Sequence, residues 1–218
     1  MRPVFEQELN AVYQELTALA NSANESLHKA VLAYQNDDKE LAHELFTDDL
    51  RINASTADIE KSAYRIIALQ QPVAKDLRLL FTVLYCSHDI ERIADHAVSI
   101  ARATLRMDDA FTSIESINEI ISKMAKIVEE MLTNAINAFM DKDAKAARKI
   151  AEQDETIDLL LKELFQIAIS NMESSTEFVN SGISYIGVGR NLERIADYIT
   201  NICERIVYLT TGEFVELN

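Results

Sequence analysis

The sequence predicts an all-α protein built from two tandem copies of a three-helix unit. The chain has 218 residues but only two Pro and four Gly, and none of either lies between Val73 and Ser181. Its apolar residues recur every three or four positions, which is the spacing of one helix face. The string ERIAD occurs at residues 91–95 and again at 193–197. Because each string falls in the third helix of its half, we infer an internal duplication with six long helices.

Three helices are expected in the first half. One amphipathic stripe covers residues 5–34 and ends at the polar run 36–38. A second stripe covers residues 41–66 and ends at Gln71-Pro72, because Pro lacks a backbone N–H and its ring clashes with the preceding turn. The third helix runs from there to about Met107.

The second half repeats this order. Thr-Ser-Ile-Glu at residues 112–115 matches a capping box and predicts the start of the fourth helix. A turn at residues 141–143 leads to the fifth helix, and the polar run 171–176 leads to a sixth that ends near Thr211-Gly212. The boundary between the halves is expected between Met107 and Phe111.

Composition and charge exclude several classes of function. A formal net charge of −15 argues against nucleic acid, whose phosphates are bound by basic patches. The sequence has no nucleophile with a base partner, Gly-rich phosphate loop or CxxC pair, so hydrolase, NTPase and redox functions have no support. None of these three classes of enzyme is therefore expected.

The cysteines and the N-terminus indicate a cytoplasmic protein. Cys86 and Cys203 lie far apart among apolar neighbours, as buried reduced thiols do. Acidic residues in MRPVFEQE replace the apolar run of a secretory leader. No uncharged apolar stretch approaches the ~18 residues of a membrane span, so no membrane insertion is expected.

Acidic side chains are expected to meet between the second and third helix of each half. Folding the first hairpin about Pro72 brings Asp49 opposite Asp95 and Asn53 opposite Glu91. Folding the second about residues 173–174 brings Asp154 opposite Glu193. Other polar residues extend these helix faces. The full set of candidate ligands is Asp49, Asn53, Glu91, Asp95, Asp154, Asp158, Glu193, Asp197, Asn201 and Glu204.

Three explanations of these acids remain open. Close carboxylates repel one another, and a hard cation such as Mg, Mn or Fe relieves that repulsion when the ligands are oxygens. His88, about 60° from Glu91 on the same helix, could add a nitrogen ligand. Alternatively the acids pair with arginines or form a solvated face. The arginines available for pairing are Arg92, Arg102, Arg190, Arg194 and Arg205.

At these residues the sequence resembles the PhoU family of regulators of bacterial phosphate uptake. The resemblance covers nearly the whole chain and is carried by RIIALQQPVAKDLRLL (65–80), DIERIADHAVSIAR (89–102) and NLERIADYITNICE (191–204). The QP-x-A-x-DLR segment followed by ERIAD is a specific signature, whereas ERIAD alone is not. The resemblance implies two three-helix bundles, residues 1–108 and 109–218, related by pseudo-twofold symmetry.

The resemblance also implies multinuclear metal clusters. The family motif E(D)xxxD matches Glu91 with Asp95 and Glu193 with Asp197, and the expected ions are Fe, Mn or Mg, with Zn as an alternative. In the first repeat, Ser99 and Arg102 stand where the second has Asn201 and Glu204. Fewer anionic oxygens and an added positive charge weaken cation binding. The second-repeat site is therefore expected to bind metal more tightly.

The function implied by the resemblance is that of a cytoplasmic adaptor, which is a regulator and not an enzyme. Such a protein contacts the ATPase subunit of the high-affinity phosphate ABC transporter and a membrane sensor histidine kinase, and it restrains the phosphate-starvation response. A homodimer is also expected.

Two other classes remain as alternatives. Glu25-x-x-His28 and Glu40-x-x-His43 match the ligand string of ferritin-like di-metal oxidases, although both histidines are predicted on the surface. A purely structural bundle dimer is the other.

Overall fold

The computed structural model describes residues 3–108 and 111–217, and these residues form helices and no strand. The helices of the first half are α1 (Pro3–Asn36), α2 (Lys39–Gln70) and α3 (Lys75–Leu105). Those of the second half are α4 (Glu115–Asp141), α5 (Ala144–Ala151), α6 (Asp154–Ser174) and α7 (Val179–Thr211), with a 3₁₀ turn at Thr176–Phe178. The predicted all-α fold with a repeated helical unit is confirmed.

The predicted turns coincide with helix caps, which satisfy the free backbone N–H and C=O groups at the helix ends. Asp38 accepts the N–H of Leu41 and begins α2, while Gln71, in the left-handed region, ends it one residue before Pro72. Asp143 accepts two backbone N–H groups and begins α5. Gly212 ends α7 with a φ of 83°, a conformation that Gly adopts without strain.

The start of α4 differs from the prediction. Its N-cap is Ile114, with no hydrogen bond from a side chain, so the capping box at residues 112–115 does not form. The backbone N–H of Thr112 instead donates to Ser181 Oγ at 2.7 Å, and that of Ile114 donates to the Tyr185 hydroxyl at 3.0 Å. Contacts with α7 thus replace the local cap. The predicted domain boundary lies in this connection, and residues 109 and 110 are outside the described residues.

The predicted fifth helix is two helices. A turn at Glu152-Gln153 separates α5 from α6, with the N–H of Gln153 bonded to the carbonyl of Ile150 at 3.0 Å. No Gly or Pro marks this break. Its consequence is that Asp154 becomes the first residue of α6, where the positive end of the helix dipole favours a carboxylate. Together α5 and α6 occupy the place of one helix of the repeat.

The two repeats share one core. α3 packs antiparallel against α7, and α1 packs against α4. α2 covers α1 and α3, while α5 and α6 cover α4 and α7. Large side chains such as Tyr185, Phe139 and Leu16 are fully buried in this core. Each contributes about 1.5–3 kcal/mol through burial of its apolar surface. Cys86 and Cys203 are both buried and free, as predicted.

The connection between the repeats is fixed by an aromatic cluster. The rings of Tyr34 in α1, Phe111 in the connection and Tyr185 in α7 lie 5.4–6.2 Å apart between centroids. The hydroxyl of Tyr34 is also 3.0 Å from Ser184 Oγ. Elements of both repeats therefore meet at this end of α7. None of the described helices combines the length and the apolar character of a membrane-spanning segment.

Candidate functional site

The first group of acidic side chains lies between α2 and α3. Burial, followed by the charge of Asp95, raises the pKa of Asp49 above its usual value. Burial and the same Asp95 also raise the pKa of Glu91, with a smaller contribution from Asp49. These three carboxylates interact with one another, and we call Asp49, Glu91 and Asp95 the first-repeat cluster. The amide of Asn53 donates to Asp49 Oδ2 at 3.4 Å, and Arg102 offsets part of the repulsion at Asp49.

One oxygen of the first-repeat cluster has no protein partner. Asp49 Oδ1 is buried and accepts no hydrogen bond from the residues that the structure describes. A carboxylate oxygen in this position is costly, because burial removes the water that would otherwise solvate it. A proton or a cation would satisfy it.

The second group lies between α6 and α7. Burial comes first among the causes that raise the pKa of Glu193, followed by Asp197, Asp158 and Asp154. Burial and the charge of Asp158 raise the pKa of Asp197, although the positive charge of Arg194 lowers it in part. Asp154 itself is only 8% exposed. We call Asp154, Asp158, Glu193 and Asp197 the second-repeat cluster.

The register of the second hairpin differs from the simple fold about residues 173–174. Asp158 comes before Asp154 among the charges that raise the pKa of Glu193, and Asp158 also raises the pKa of Asp197. The close approach of Gly189 to Leu161 and Leu164 agrees with this register. The sequence prediction assumed one straight helix, but the helix is interrupted before Asp154. Asp158, and not Asp154, is therefore the acid of α6 at the centre of the cluster.

One member of the predicted ligand set, Glu204, lies beyond the second-repeat cluster. Glu204 is eleven residues after Glu193, about 16 Å along the helix axis. Its Oε1 accepts the backbone N–H of Leu217 at 3.0 Å, which ties the C-terminal segment to α7. Glu204 is therefore not brought to this cluster. Asn201, one turn after Asp197, is half-buried and remains a prediction.

Four of the five arginines that were candidates for pairing with the acids pack against aromatic rings and, within the described residues, form no ion pair with either cluster. In the described part of the chain, Arg194 is the one of the five that forms ion pairs with a cluster, at 3.2 Å from Asp197 and 3.8 Å from Glu193. Its side chain is 61% exposed, and such a surface pair contributes about 0–1 kcal/mol. The guanidinium groups of Arg92, Arg102, Arg190 and Arg205 lie 4.6–5.9 Å from ring centroids. Arginine pairing therefore relieves only part of the repulsion.

The clusters fit hard cations in donor type and charge. Their donors are carboxylate oxygens at i, i+4 on one helix and at a facing helix, and burial, followed by charged neighbours that include other cluster carboxylates, raises the pKa values of Asp49, Glu91, Glu193 and Asp197. Within residues 3–108 and 111–217, no three Asp, Glu, His or Cys side chains converge as a formed metal site. Coordination of one ion by a whole cluster therefore requires side-chain rotation.

The histidines have other partners. His88 Nε2 lies 2.7 Å from Glu60 Oε1 on α2, which competes with the predicted role as a metal ligand. His96 is half-buried, and its Nδ1 lies 2.8 Å from Asn191 Oδ1 on α7. His28 is 3.1 Å from Glu129 of α4, whereas the exposed ring of His43 packs near Phe46. The two Glu-x-x-His strings thus do not converge into an oxidase site.

A polar site between α3 and α7 escaped the sequence analysis. Burial raises the pKa of Asp89 to about 6, although Arg205 and Arg92 oppose the shift. The Arg205 guanidinium lies 4.6 Å from the Tyr85 ring centroid, and its buried Nε has no hydrogen-bond partner in the described residues. Asp89 precedes ERIAD by two positions, and nothing in its spacing distinguishes it from a surface acid.

Comparison with known proteins gives full-length matches. The family model described as "PhoU domain" matches residues 16–104 and 121–206. A Streptococcus pneumoniae protein named "Phosphate-specific transport system accessory protein PhoU homolog" is 37% identical over 218 residues, covering all of both chains. A Clostridium acetobutylicum protein of the same name is 32% identical over 221 residues, covering 100% of this chain and 99% of the relative.

Solved structures agree with the sequence matches. The crystal structure of the phosphate transport system regulatory protein PhoU from Streptococcus pneumoniae superimposes with a TM-score of 0.91 at 36% identity, covering 98% of this chain and 100% of that one. PhoU from Pseudomonas aeruginosa gives a TM-score of 0.90 at 29% identity, with 96% and 100% covered. Fold and sequence therefore point to the same family.

Proposed function

The chain belongs to the PhoU family, and we propose that it regulates phosphate uptake and the phosphate-starvation response without catalysing a reaction. The observation that carries this proposal is the full-length likeness to accessory proteins of phosphate-specific transport systems. The lack of convergence of the two Glu-x-x-His strings argues against the oxidase alternative. Oxygen consumption by the purified protein with iron would revive that alternative.

Metal binding is the second part of the proposal. In the first repeat, Asp49, Glu91 and Asp95 would hold the ion, with Asn53 as a further oxygen donor. In the second, the ligands would be Asp154, Asp158, Glu193 and Asp197, with Asn201 as a further oxygen donor. The crowded carboxylates support this, because Fe, Mn, Mg or Zn would supply the positive charge that offsets their repulsion. The ion would order the acidic faces or bridge them to a partner.

We further propose that the second-repeat cluster binds metal more tightly. It contains four carboxylates against three in the first repeat, and Arg102 acts on Asp49 in the first-repeat cluster. Arg194 opposes this difference, but it is exposed and can rotate away. Glu193→Ala should therefore lower metal affinity more than Glu91→Ala, and equal losses in calorimetry would contradict the ranking.

The proposed mode of action is that of an adaptor in the cytoplasm. The protein, as a homodimer, would contact the ATPase subunit of the phosphate ABC transporter and a membrane sensor histidine kinase. The net charge of −15 supports docking to basic partner segments, since complementary charge speeds encounter and selects partners. A metal ion bound in a cluster would change the local charge that such a segment meets.

Capture of the protein by the immobilised cognate ATPase subunit tests this function. We expect capture of the wild-type protein with Mn²⁺ present, and weaker capture after chelation or in the double variant Glu193→Ala, Asp197→Ala. Glu130→Ala is the matched control, because it removes an exposed acid of α4 outside both clusters. Absence of any complex under all conditions would contradict the adaptor proposal. Equal capture with Mn²⁺, after chelation and in the double variant would contradict the role of the ions.

A further inference from the structure

A groove of about 660 Å³ lies between the end of α3 and the first half of α7. Its volume is typical of small-molecule sites, which span about 300–1,000 Å³. It is separate from the carboxylates of the two clusters, none of which lines it.

The α3 wall of the groove is basic in an otherwise acidic protein. Arg102 and Arg106 are four residues apart, so both lie on the same helix face. No Asp or Glu within residues 3–108 and 111–217 approaches either guanidinium within ion-pair distance. Arg102 lies over the Phe46 ring, 5.8 Å from its centroid. Of the described groove residues, Asp108 is the one acid. Arg102 acts on Asp49 from beyond ion-pair distance, and Arg106 forms no ion pair with the described residues. Guanidinium groups placed in this way favour an anionic ligand.

The α7 wall adds a favourable dipole and space. Asn180 belongs to the first turn of α7, where the positive end of the helix dipole favours anions, and Ser184 lies one turn further along the helix. Gly187 lies in the middle of this wall, and a Cβ added there would meet no atom within 4 Å. The wall therefore leaves room for a ligand where any other residue would place a side chain.

Apolar side chains make up another part of the groove. Ile183 lines the groove and is 62% exposed, so its apolar surface is available to a ligand. Phe111, from the connection between the repeats, is half-buried beside it in the groove lining. A ligand that fits both parts of the groove must join an anionic group to a planar or apolar body.

We infer that this groove binds a nucleoside phosphate. Arg102 and Arg106 hold the phosphate in charge-assisted hydrogen bonds, and Ile183 and Phe111 contact the base and ribose. The net charge of −15 does not prevent this, because at physiological ionic strength exposed charges more than about 8 Å away are largely screened. The inference goes beyond the proposed regulatory function and does not depend on it.

The groove adjoins the first-repeat cluster through α3. Ser99 lines the groove, and its hydroxyl donates to the carbonyl of Asp95 at 3.1 Å. Arg102 both lines the groove and offsets the charge of Asp49. A substitution of Arg102 would therefore disturb the cluster as well, and Arg106 is the better residue for a selective test.

Calorimetric titration with AMP, adenosine and inorganic phosphate, in chelator and about 0.15 M salt, tests the inference. We expect AMP to bind the wild-type protein more tightly than either fragment, because AMP uses both parts of the groove. Arg106→Ala should weaken AMP binding by about tenfold or more, since hydrogen bonds to charged groups are the stronger ones. Gly187→Leu should abolish binding by filling the groove, while the open space at this position preserves the fold.

Arg148→Ala is the matched control, because Arg148 is exposed on α5 away from the groove. It should bind AMP as the wild type does. Circular dichroism and thermal unfolding of each variant separate loss of the site from loss of the fold. Three results would overturn the inference: no binding of AMP to the wild type, equal binding to Arg106→Ala or Gly187→Leu, or inorganic phosphate binding as tightly as AMP.

Discussion

Tyr185→Phe should destabilise the protein by removing the acceptor that holds the connection between the repeats. The Tyr185 ring is fully buried, and its hydroxyl accepts the backbone N–H of Ile114 at 3.0 Å. Phe keeps the ring packing against Tyr34 and Phe111 but leaves that buried N–H without a partner. An unsatisfied buried donor costs about 1–3 kcal/mol. For a chain of this size, about 2–4 °C of melting temperature per kcal/mol gives a fall of about 2–12 °C.

Urea unfolding followed by circular dichroism measures this free energy directly, with thermal melting as a second readout. Tyr64→Phe is the matched control, because Tyr64 is 56% exposed on α2 and should change stability by less than about 0.5 kcal/mol. If Tyr185→Phe unfolds at the same urea concentration as Tyr64→Phe, the hydrogen bond does not stabilise the connection and the reasoning is refuted.

Three further predictions concern charge, pH and packing. In chelator near pH 7.5, Glu193→Gln should raise the melting temperature, because burial and then Asp197 raise the pKa of Glu193 and its charged form opposes folding; a lower melting temperature would contradict this. Because the folded pKa of Asp89 is raised from 3.8 to about 6, its contribution to stability is present below about pH 4 and lost as pH rises to about 6. Stability curves of wild type and Asp89→Asn should therefore diverge over that range, and parallel curves would refute the assignment. Gly187→Ala, where the added Cβ meets no atom within 4 Å, should stabilise α7 by about 0.5–1 kcal/mol. At Gly189 the Cβ would lie 2.9 Å from Leu161 Cδ1 and 3.0 Å from Leu164 Cδ1, so crowding of about 1–3 kcal/mol should leave Gly189→Ala less stable than Gly187→Ala. Equal urea midpoints for the two variants would contradict that comparison.

The helical repeat was predictable because its determinants are local. Apolar spacing fixes which faces are buried, and Asp38, Asp143 and Gly212 mark turns through their own caps. The failures have tertiary causes. Thr112 does not cap α4 because its backbone bonds to Ser181 of α7. The break at Glu152-Gln153 has no Pro or Gly to announce it.

The acidic clusters were predictable in part. Hairpin symmetry brought Asp49 to Asp95 and the acids of α6 to Glu193. Helix periodicity assigned Glu204 to the same site, because it gives the direction of a side chain but not its distance along the helix axis. Glu204 instead accepts the backbone N–H of Leu217, which belongs to the C-terminal segment and not to the hairpin. The groove was missed for a similar reason, since Arg106 and Gly187 come from different repeats and meet only through the packing of α3 on α7.

Calorimetric titration of chelator-stripped protein with Mn²⁺ tests the central claim that each carboxylate cluster binds a cation. The account predicts binding to the wild type, a reduced number of sites in Glu91→Gln and in Glu193→Gln, and unchanged binding in the control Glu130→Gln. It would be contradicted by a wild-type protein that binds no Mn²⁺, or by glutamine variants of the clusters that bind it as the control does.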